Sequence, residues 1–323
     1  MDRRRFLASA VAAPALALAF PSGRRSLGAS QTVPLLGAST ACFAGMALHE
    51  AIAHLERIGF GTIELITYTG ARHSVGDIPG FDFAASPPVE RDRVFALTRR
   101  FQHITGHLPF QGFSLFSRDD RERQDGLSRI RAALDGLAFL KGELGVMHVG
   151  SPPRGAAYRD IWQPMIDTLR SLGDYAAERN LKLGVETMQP DSARDYARLV
   201  ADVRHPAVGA AIDTGHIRGS RDIGLPPERR DSDEARARFN DVLNLLVADL
   251  ADKVVHFHIS DVRATDWMDH RRIGSGIVDF PRLFATIRGI PYRGVFVLEL
   301  EETDKLSAVE QSKAYVARLL GAA

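Results

Sequence analysis

Eight short apolar runs alternate with eight stretches of helical periodicity along this chain, and that alternation limits the fold more than any single residue does. The runs cover 35–38, 62–66, 101–106, 146–149, 181–185, 208–212, 254–259 and 294–300; the helical stretches cover 47–58, 89–100, 121–144, 161–180, 193–203, 233–251, 280–288 and 307–320. Strand-then-helix repeated eight times predicts an α/β fold of the (β/α)8 TIM-barrel type, with 30–323 as a single domain. A doubly wound sheet would instead carry a glycine-rich phosphate loop after its first strand. Gly37-Ala38-Ser39-Thr40-Ala41-Cys42 is not such a loop.

Ionisable residues recur where these runs end: His107, His148, Glu186, Asp213, His258 and Glu299. A parallel barrel brings all its strand C-termini to one mouth, so six residues far apart in the chain are expected to converge there. Gathering carboxylates and imidazoles without a cation is costly. Cys42 is the one cysteine, which excludes a disulfide framework and a multi-cysteine zinc site, so any metal must be held by nitrogen and oxygen.

Four segments carry a resemblance. Gly184-Val185-Glu186-Thr187, Asp213-Thr214-Gly215-His216, His256-Phe257-His258-Ile259-Ser260-Asp261 and Val297-Leu298-Glu299-Leu300 resemble, in order and spacing, the xylose isomerase-like sugar isomerase and epimerase superfamily. The resemblance implies that Glu186, Asp213, His258 and Glu299 hold one divalent metal and that His216 lies beside the substrate or a second metal. It also implies that Glu186 and Glu299 are the catalytic pair of an isomerase or epimerase. They would exchange a proton next to the carbonyl of a keto-sugar or polyol through a metal-stabilised enediolate. Three carboxylates and one imidazole favour Mn²⁺, Mg²⁺ or Co²⁺, with Zn²⁺ an alternative. Dehydration of a keto-polyol shares the opening step. A non-catalytic sugar-binding barrel is the rival reading.

The chain is also similar to the endonuclease IV branch of this fold, through His107, His148 and the stretch from Asp269 to Gly276. Aligned on Gly274-Ser275-Gly276, Met268 stands where an aspartate belongs, and only a register shift to Asp269 or Asp266 repairs the match. Charge argues against a polyanion partner. Setting aside 1–29, whose five arginines face Asp2 alone, turns a whole-chain balance of 41 basic against 40 acidic residues into a net −3. No nucleic acid is expected, and a small carbohydrate is.

The start of the chain reads as an address. Arg3-Arg4-Arg5-Phe6-Leu7, followed by an apolar run from Ala8 to Phe20, resembles a twin-arginine export signal within 1–29, with cleavage expected after Ala19, which implies a periplasmic protein with no membrane segment in its mature form. A homo-oligomer is an expectation from the resemblance alone.

Further residues are expected to complete the mouth. His107, His148 and His216 would contact substrate. Glu64 would do so too or anchor a hydrogen bond, with buried pairing as its alternative. Arg263 and Trp267 would clamp and cover a sugar, and Phe43 and Tyr68 would form wall. The loops 69–88 and 218–230 are candidate lids. Gly274-Ser275-Gly276 is a faint candidate for an anion nest.

Overall fold

The computed structural model describes residues 35–321. The leader expected over 1–29 lies outside them. Eight parallel strands close a barrel: β1 (Leu36–Ser39), β2 (Thr62–Ile66), β5 (His103–His107), β6 (Leu144–Met147), β7 (Lys182–Glu186), β8 (Val208–Asp213), β9 (Val254–Ile259) and β10 (Phe296–Leu298), with β10 returning to β1. The strands β3 (Arg72–His73) and β4 (Gly76–Asp77) form a separate antiparallel hairpin. The helices are α1 (Leu48–Ile58), α2 (Pro88–Thr98), α3 (Asp120–Phe139), α4 (Trp162–Ala177), α5 (Ala193–Val203), α6 (Asp233–Asp249), α7 (Phe280–Arg288) and α8 (Lys305–Leu319). The (β/α)8 expectation is met. Among the described residues no helix is long and apolar enough to cross a membrane.

The strands read as nearly unbroken apolar runs because both faces are covered, by the barrel interior on one side and the helices on the other. Each amphipathic helix turns its apolar stripe inward; α5 buries Tyr196, Leu199, Val200 and Val203, and Ser192 caps it by accepting from the Asp195 amide.

Several boundaries differ from the sequence reading, and those of the third helix, β5 and β10 shift site residues, β10 stopping at Leu298 so that Glu299 lies just past it. The third helical stretch, expected to run to 144, stops at Phe139. Lys141 is left-handed at φ 61° and the Gly142 amide returns to the Leu137 carbonyl at 2.9 Å, a helix stop that periodicity cannot show. β6 therefore begins at Leu144, and His148 stands one residue past its end. Phe101 and Gln102 belong to the turn before β5, so His107 is the last residue of that strand.

The loop after β9 is built around Asp261. Its carboxylate accepts from the amides of Val262 (2.8 Å), Gly274 (3.0 Å), Gly276 (2.8 Å) and Val278 (3.1 Å). Gly276 is required there, since a Cβ would stand 2.0 Å from the Val262 carbonyl oxygen and 2.5 Å from the Asp261 carboxylate. The nest considered for a substrate anion is thus occupied by the chain's own carboxylate. The first candidate lid contains the β3–β4 hairpin, pinned by the Gly45 amide donating to the Asp77 carbonyl at 2.6 Å.

Candidate metal centre

Parallel closure delivers the strand-end residues to one rim. Glu186 and Asp213 end β7 and β8, His258 is the penultimate residue of β9, Glu299 follows β10, and His216 lies on the turn after β8. Asp213 and His258 are register partners across neighbouring strands. Glu186 Oε1 is 2.7 Å from His258 Nδ1, and Glu299 Oε2 is 2.9 Å from the same nitrogen. His107 Nε2 and His148 Nε2 approach the other Glu186 oxygen at 3.1 and 2.7 Å. His216 Nδ1 stands 3.6 Å from Glu186 Oε1. Glu186, Asp213 and His258 are fully buried, and Glu299 is nearly so.

Several of these close pairs are not aligned as hydrogen bonds. Glu299 Oε2, Asp213 Oδ2, His148 Nε2 and His216 Nδ1 are buried, and each lacks a hydrogen-bond partner of acceptable geometry. Buried polar atoms are rarely left so. Atoms that crowd one another without bonding are what a shared cation would require. His107, Glu186, His258 and Glu299 offer ligand atoms that lie within 4.8 Å of one another, as do Asp213, His270 and Glu299.

The imidazoles are oriented for the same purpose. His107 Nδ1 lies 3.0 Å from the Leu108 carbonyl and His270 Nδ1 lies 3.2 Å from the Glu299 carbonyl. A carbonyl only accepts, so both rings carry their proton on Nδ1 and, when neutral, turn the Nε2 lone pair toward the site. Oxygen and nitrogen donors of this kind fit a divalent cation.

Without a cation, protons substitute for it. Burial pushes the Glu186 and Glu299 carboxyls up, but the surrounding imidazoles, His258 foremost, outweigh it and hold both well below the usual carboxylate range. Burial disfavours charge on His258 as well, and Glu64, Glu299 and Glu186 reverse that and raise it well above the ordinary value. His107 rises to about 9, its burial overcome by Glu186. His148 is lowered by its burial, and Asp213 is raised by its own.

Above these groups opens a cleft of about 230 Å³ bordered by His73, Phe110, Met188, Arg218, His270 and Glu301. Phe110 packs against His107 and His148, with ring centroids 4.8 and 4.9 Å away, and presents an apolar wall. The β3–β4 hairpin closes one side, where His73 Nδ1 and Ser74 Oγ meet Glu301 at 3.0 and 2.9 Å. A profile described as a xylose isomerase-like TIM barrel matches residues 52–319. The chain belongs to that family.

Three curated proteins are similar to this chain at low identity. An uncharacterized protein of Methanocaldococcus jannaschii is 25% identical over 225 residues, 66% of this chain and 70% of its own length. The 3-dehydroshikimate dehydratase of Pseudomonas putida is 28% identical over 210 residues, 61% of this chain and 29% of that protein. The inosose dehydratase of Geobacillus thermodenitrificans is 27% identical over 150 residues, 44% of this chain and 47% of that protein. The chain thus spans less than half the length of either dehydratase. Among solved structures, a D-tagatose 3-epimerase-like protein superposes with a TM-score of 0.67 at 20% identity, covering 88% of this chain and 98% of that one. A 3-keto-D-glucoside 4-epimerase from E. coli gives 0.65 at 19% identity, with 88% and 99% covered. These likenesses establish the shared barrel.

Within this xylose isomerase-like barrel, not every expected residue reaches the mouth. Trp267 is fully buried beneath the loop: its indole Nε1 donates to the Arg230 carbonyl at 2.8 Å and its edge meets Phe239 at 5.6 Å, which leaves no face for a sugar. Arg263 is spent on the surface, donating through Nε and Nη2 to Asp266 at 2.8 and 2.5 Å. Phe43 is core, stacked on His54, and Tyr68 stands behind Phe110, 5.6 Å away. Glu64 is fully buried inside the barrel, with His258 Nε2 at 2.9 Å, His256 Nε2 at 3.2 Å and the Thr105 hydroxyl at 3.1 Å, so buried pairing replaces substrate contact.

The sequence reading placed no weight on His73, Arg218, Asp269, His270 and Glu301 as partners of the mouth. Asp269 and His270 entered it only through the endonuclease IV comparison. His270 adopts φ 55°, a costly backbone for a non-glycine residue, held by the Glu301 amide donating to its carbonyl at 2.7 Å. Its Nε2 lies 3.3 Å from His216 Nε2, and these two with Asp269 form another set of mutually close ligand atoms. Arg218 Nε donates to Asp269 at 2.6 Å. Met268 is outside on the surface, so Asp269 supplies the carboxylate by the one-residue shift considered above.

Proposed function

We propose that this chain is a metal-dependent isomerase or epimerase of a keto-sugar or polyol, moving a proton on the carbon beside the substrate carbonyl, with Glu186 and Glu299 as the proton carriers. The observation that carries the reading is the approach of both carboxylates to one nitrogen, His258 Nδ1, at 2.7 and 2.9 Å beneath an open cleft. The relatives named as dehydratases of 3-dehydroshikimate and of an inosose, and the 3-keto-D-glucoside 4-epimerase that shares the barrel, support a substrate of the hydroxyl-rich carbonyl class. Elimination of water shares the opening proton abstraction, which places a dehydratase within the same proposal.

Glu186, Asp213, His258 and Glu299 would hold the cation. When bound, a divalent ion supplies Lewis-acid polarisation of the carbonyl. The chain does the rest. Glu186 and Glu299 are held ionised at neutral pH and can accept a proton. His107 and His148 flank one Glu186 oxygen and orient the carboxylate. Phe110 supplies an apolar face for a sugar ring and His216 a polar edge near it. Export by 1–29 is part of the proposal; fusion of those residues to a folded reporter tests it.

Incubation of metal-replete protein with keto-sugars in deuterated water tests the reaction. Deuterium at a carbon next to the carbonyl is expected. Tight sugar binding with no exchange across the panel would instead establish the binding-protein reading. The set formed by His216, Asp269 and His270 favours a second reading, phosphodiester cleavage, which cleavage of an abasic-site duplex would support.

A further inference from the structure

We infer that Glu64 is a positioning residue for the metal centre: when a cation displaces the proton that His258 Nδ1 shares with Glu186, Glu64, from inside the barrel, keeps the remaining ring proton on Nε2 and leaves the Nδ1 lone pair to the cation. The inference rests on the proposed metal-binding role of His258. Glu64 stands on β2, across the barrel from β9, in register with Ser39 and Thr105. Its side chain and both imidazoles beside it are fully buried.

His258 has two ring nitrogens and two environments. Nδ1 meets the Glu186 and Glu299 oxygens, the proposed cation position. Nε2 lies on the opposite side, 2.9 Å from Glu64 Oε1, a close charge contact that is not aligned as a hydrogen bond. A neutral imidazole carries one proton, and an ionised carboxylate accepts but cannot donate. With Glu64 charged, the proton is stabilised on Nε2 and the lone pair is turned to the cation side. The negative charge behind the ring also makes Nδ1 a stronger donor. Glu64 is itself held in place: the Thr105 hydroxyl donates to Oε2 at 3.1 Å and His256 Nε2 lies 3.2 Å from the same oxygen, leaving Oε1 for His258.

Glu64→Gln tests this directly. A carboxamide of nearly equal shape can offer its NH2 group to Nε2, which favours the opposite tautomer and puts a proton where the cation should bind. Titration with Mn²⁺ alone, read by electron paramagnetic resonance of free ion, is expected to show about 10- to 100-fold weaker binding than the parent protein. Thr105→Val, which removes a hydroxyl from Glu64 but leaves its contact with His258, is expected to change Mn²⁺ affinity less than about threefold. Parent-like affinity in Glu64→Gln, or an equal loss in Thr105→Val, overturns the inference. Ring nitrogen shifts of labelled His258 in the Zn²⁺-loaded parent give a readout independent of any variant. A protonated Nε2 is expected, and a protonated Nδ1 rejects the positioning role. A parent protein that binds no Mn²⁺ rejects the metal-binding reading and this inference with it, whereas tight parent binding with an unaffected variant rejects this inference alone.

Discussion

Glu186 Oε1 and His258 Nδ1 lie 2.7 Å apart at the mouth of the barrel, on strands separated by β8, and His107, His148, His216 and Glu299 all approach one member of this pair. The contact is short and fully buried, yet the polar atoms around it remain unmatched. A pair of this kind is a proton-bound substitute for a shared cation.

Glu299→Gln and Glu186→Gln keep the size of the side chain and remove the proton acceptor. Each is expected to lower exchange of the substrate proton by about 10²- to 10⁴-fold while circular dichroism stays native. Exchange within tenfold of the parent rate would remove both residues from the proton-transfer role.

The metal-free protein should have an unusual pH profile. Glu64 falls to about 2, despite a burial that opposes it, because His258 and His256 favour its charge. A lowered carboxyl contributes stability that is present above its unfolded value of 4.5 and lost as pH falls toward 2. His107 is raised to about 9, and a raised imidazole contributes stability that is complete below its unfolded value of 6.5 and lost as pH climbs through 9. Thermal melts of chelator-treated protein should therefore peak between pH 4.5 and 6.5 and decline from 6.5 to 9. A melting temperature that rises steadily from pH 6.5 to 9 contradicts this assignment of protons.

Asp261 holds the β9–α7 loop through four amides, and that loop carries Asp269 and His270. Asp261→Ala strands those amides and is expected to cost about 2–4 kcal/mol by denaturant unfolding. Inorganic phosphate should bind the parent protein no better at this nest than elsewhere, since the carboxylate already fills it.

Trp267 and Phe110 should separate fold from recognition. Trp267→Ala opens a core cavity and is expected to lose about 3–5 kcal/mol, whereas Trp267→Phe should leave sugar affinity near that of the parent. Phe110→Ala removes the apolar wall and should weaken sugar binding with a smaller cost in stability. Calorimetric titration of Trp267→Phe and Phe110→Ala with one sugar checks the contrast.

The residues legible from sequence are those whose placement the barrel itself dictates. Glu186, Asp213, His258 and Glu299 sit at strand ends that meet at a common rim, so the apolar runs place them there together with His107 and His148, while the family resemblance singles out the four. Trp267 and Arg263 sit in a loop whose path depends on Asp261 and on a left-handed backbone at Trp267, φ 58°; a tryptophan near a strand end reads as a cover until that path is known. His270 was obscure for the same reason, its left-handed backbone turning an otherwise unremarkable loop histidine into the site. Glu64 lies in a strand, but whether it faces substrate or His258 depends on barrel closure bringing β9 across from β2. Periodicity also carried the third helix past Lys141, where a left-handed residue ends it.

Crystals of the protein soaked in Mn²⁺ and measured at the manganese absorption edge give the most direct test of the central claim. The account predicts one strong anomalous peak within bonding distance, about 2.0–2.4 Å, of side-chain atoms from Glu186, Asp213, His258 and Glu299. A peak ligated by other residues, or full Mn²⁺ occupancy elsewhere with these four unligated, would contradict it.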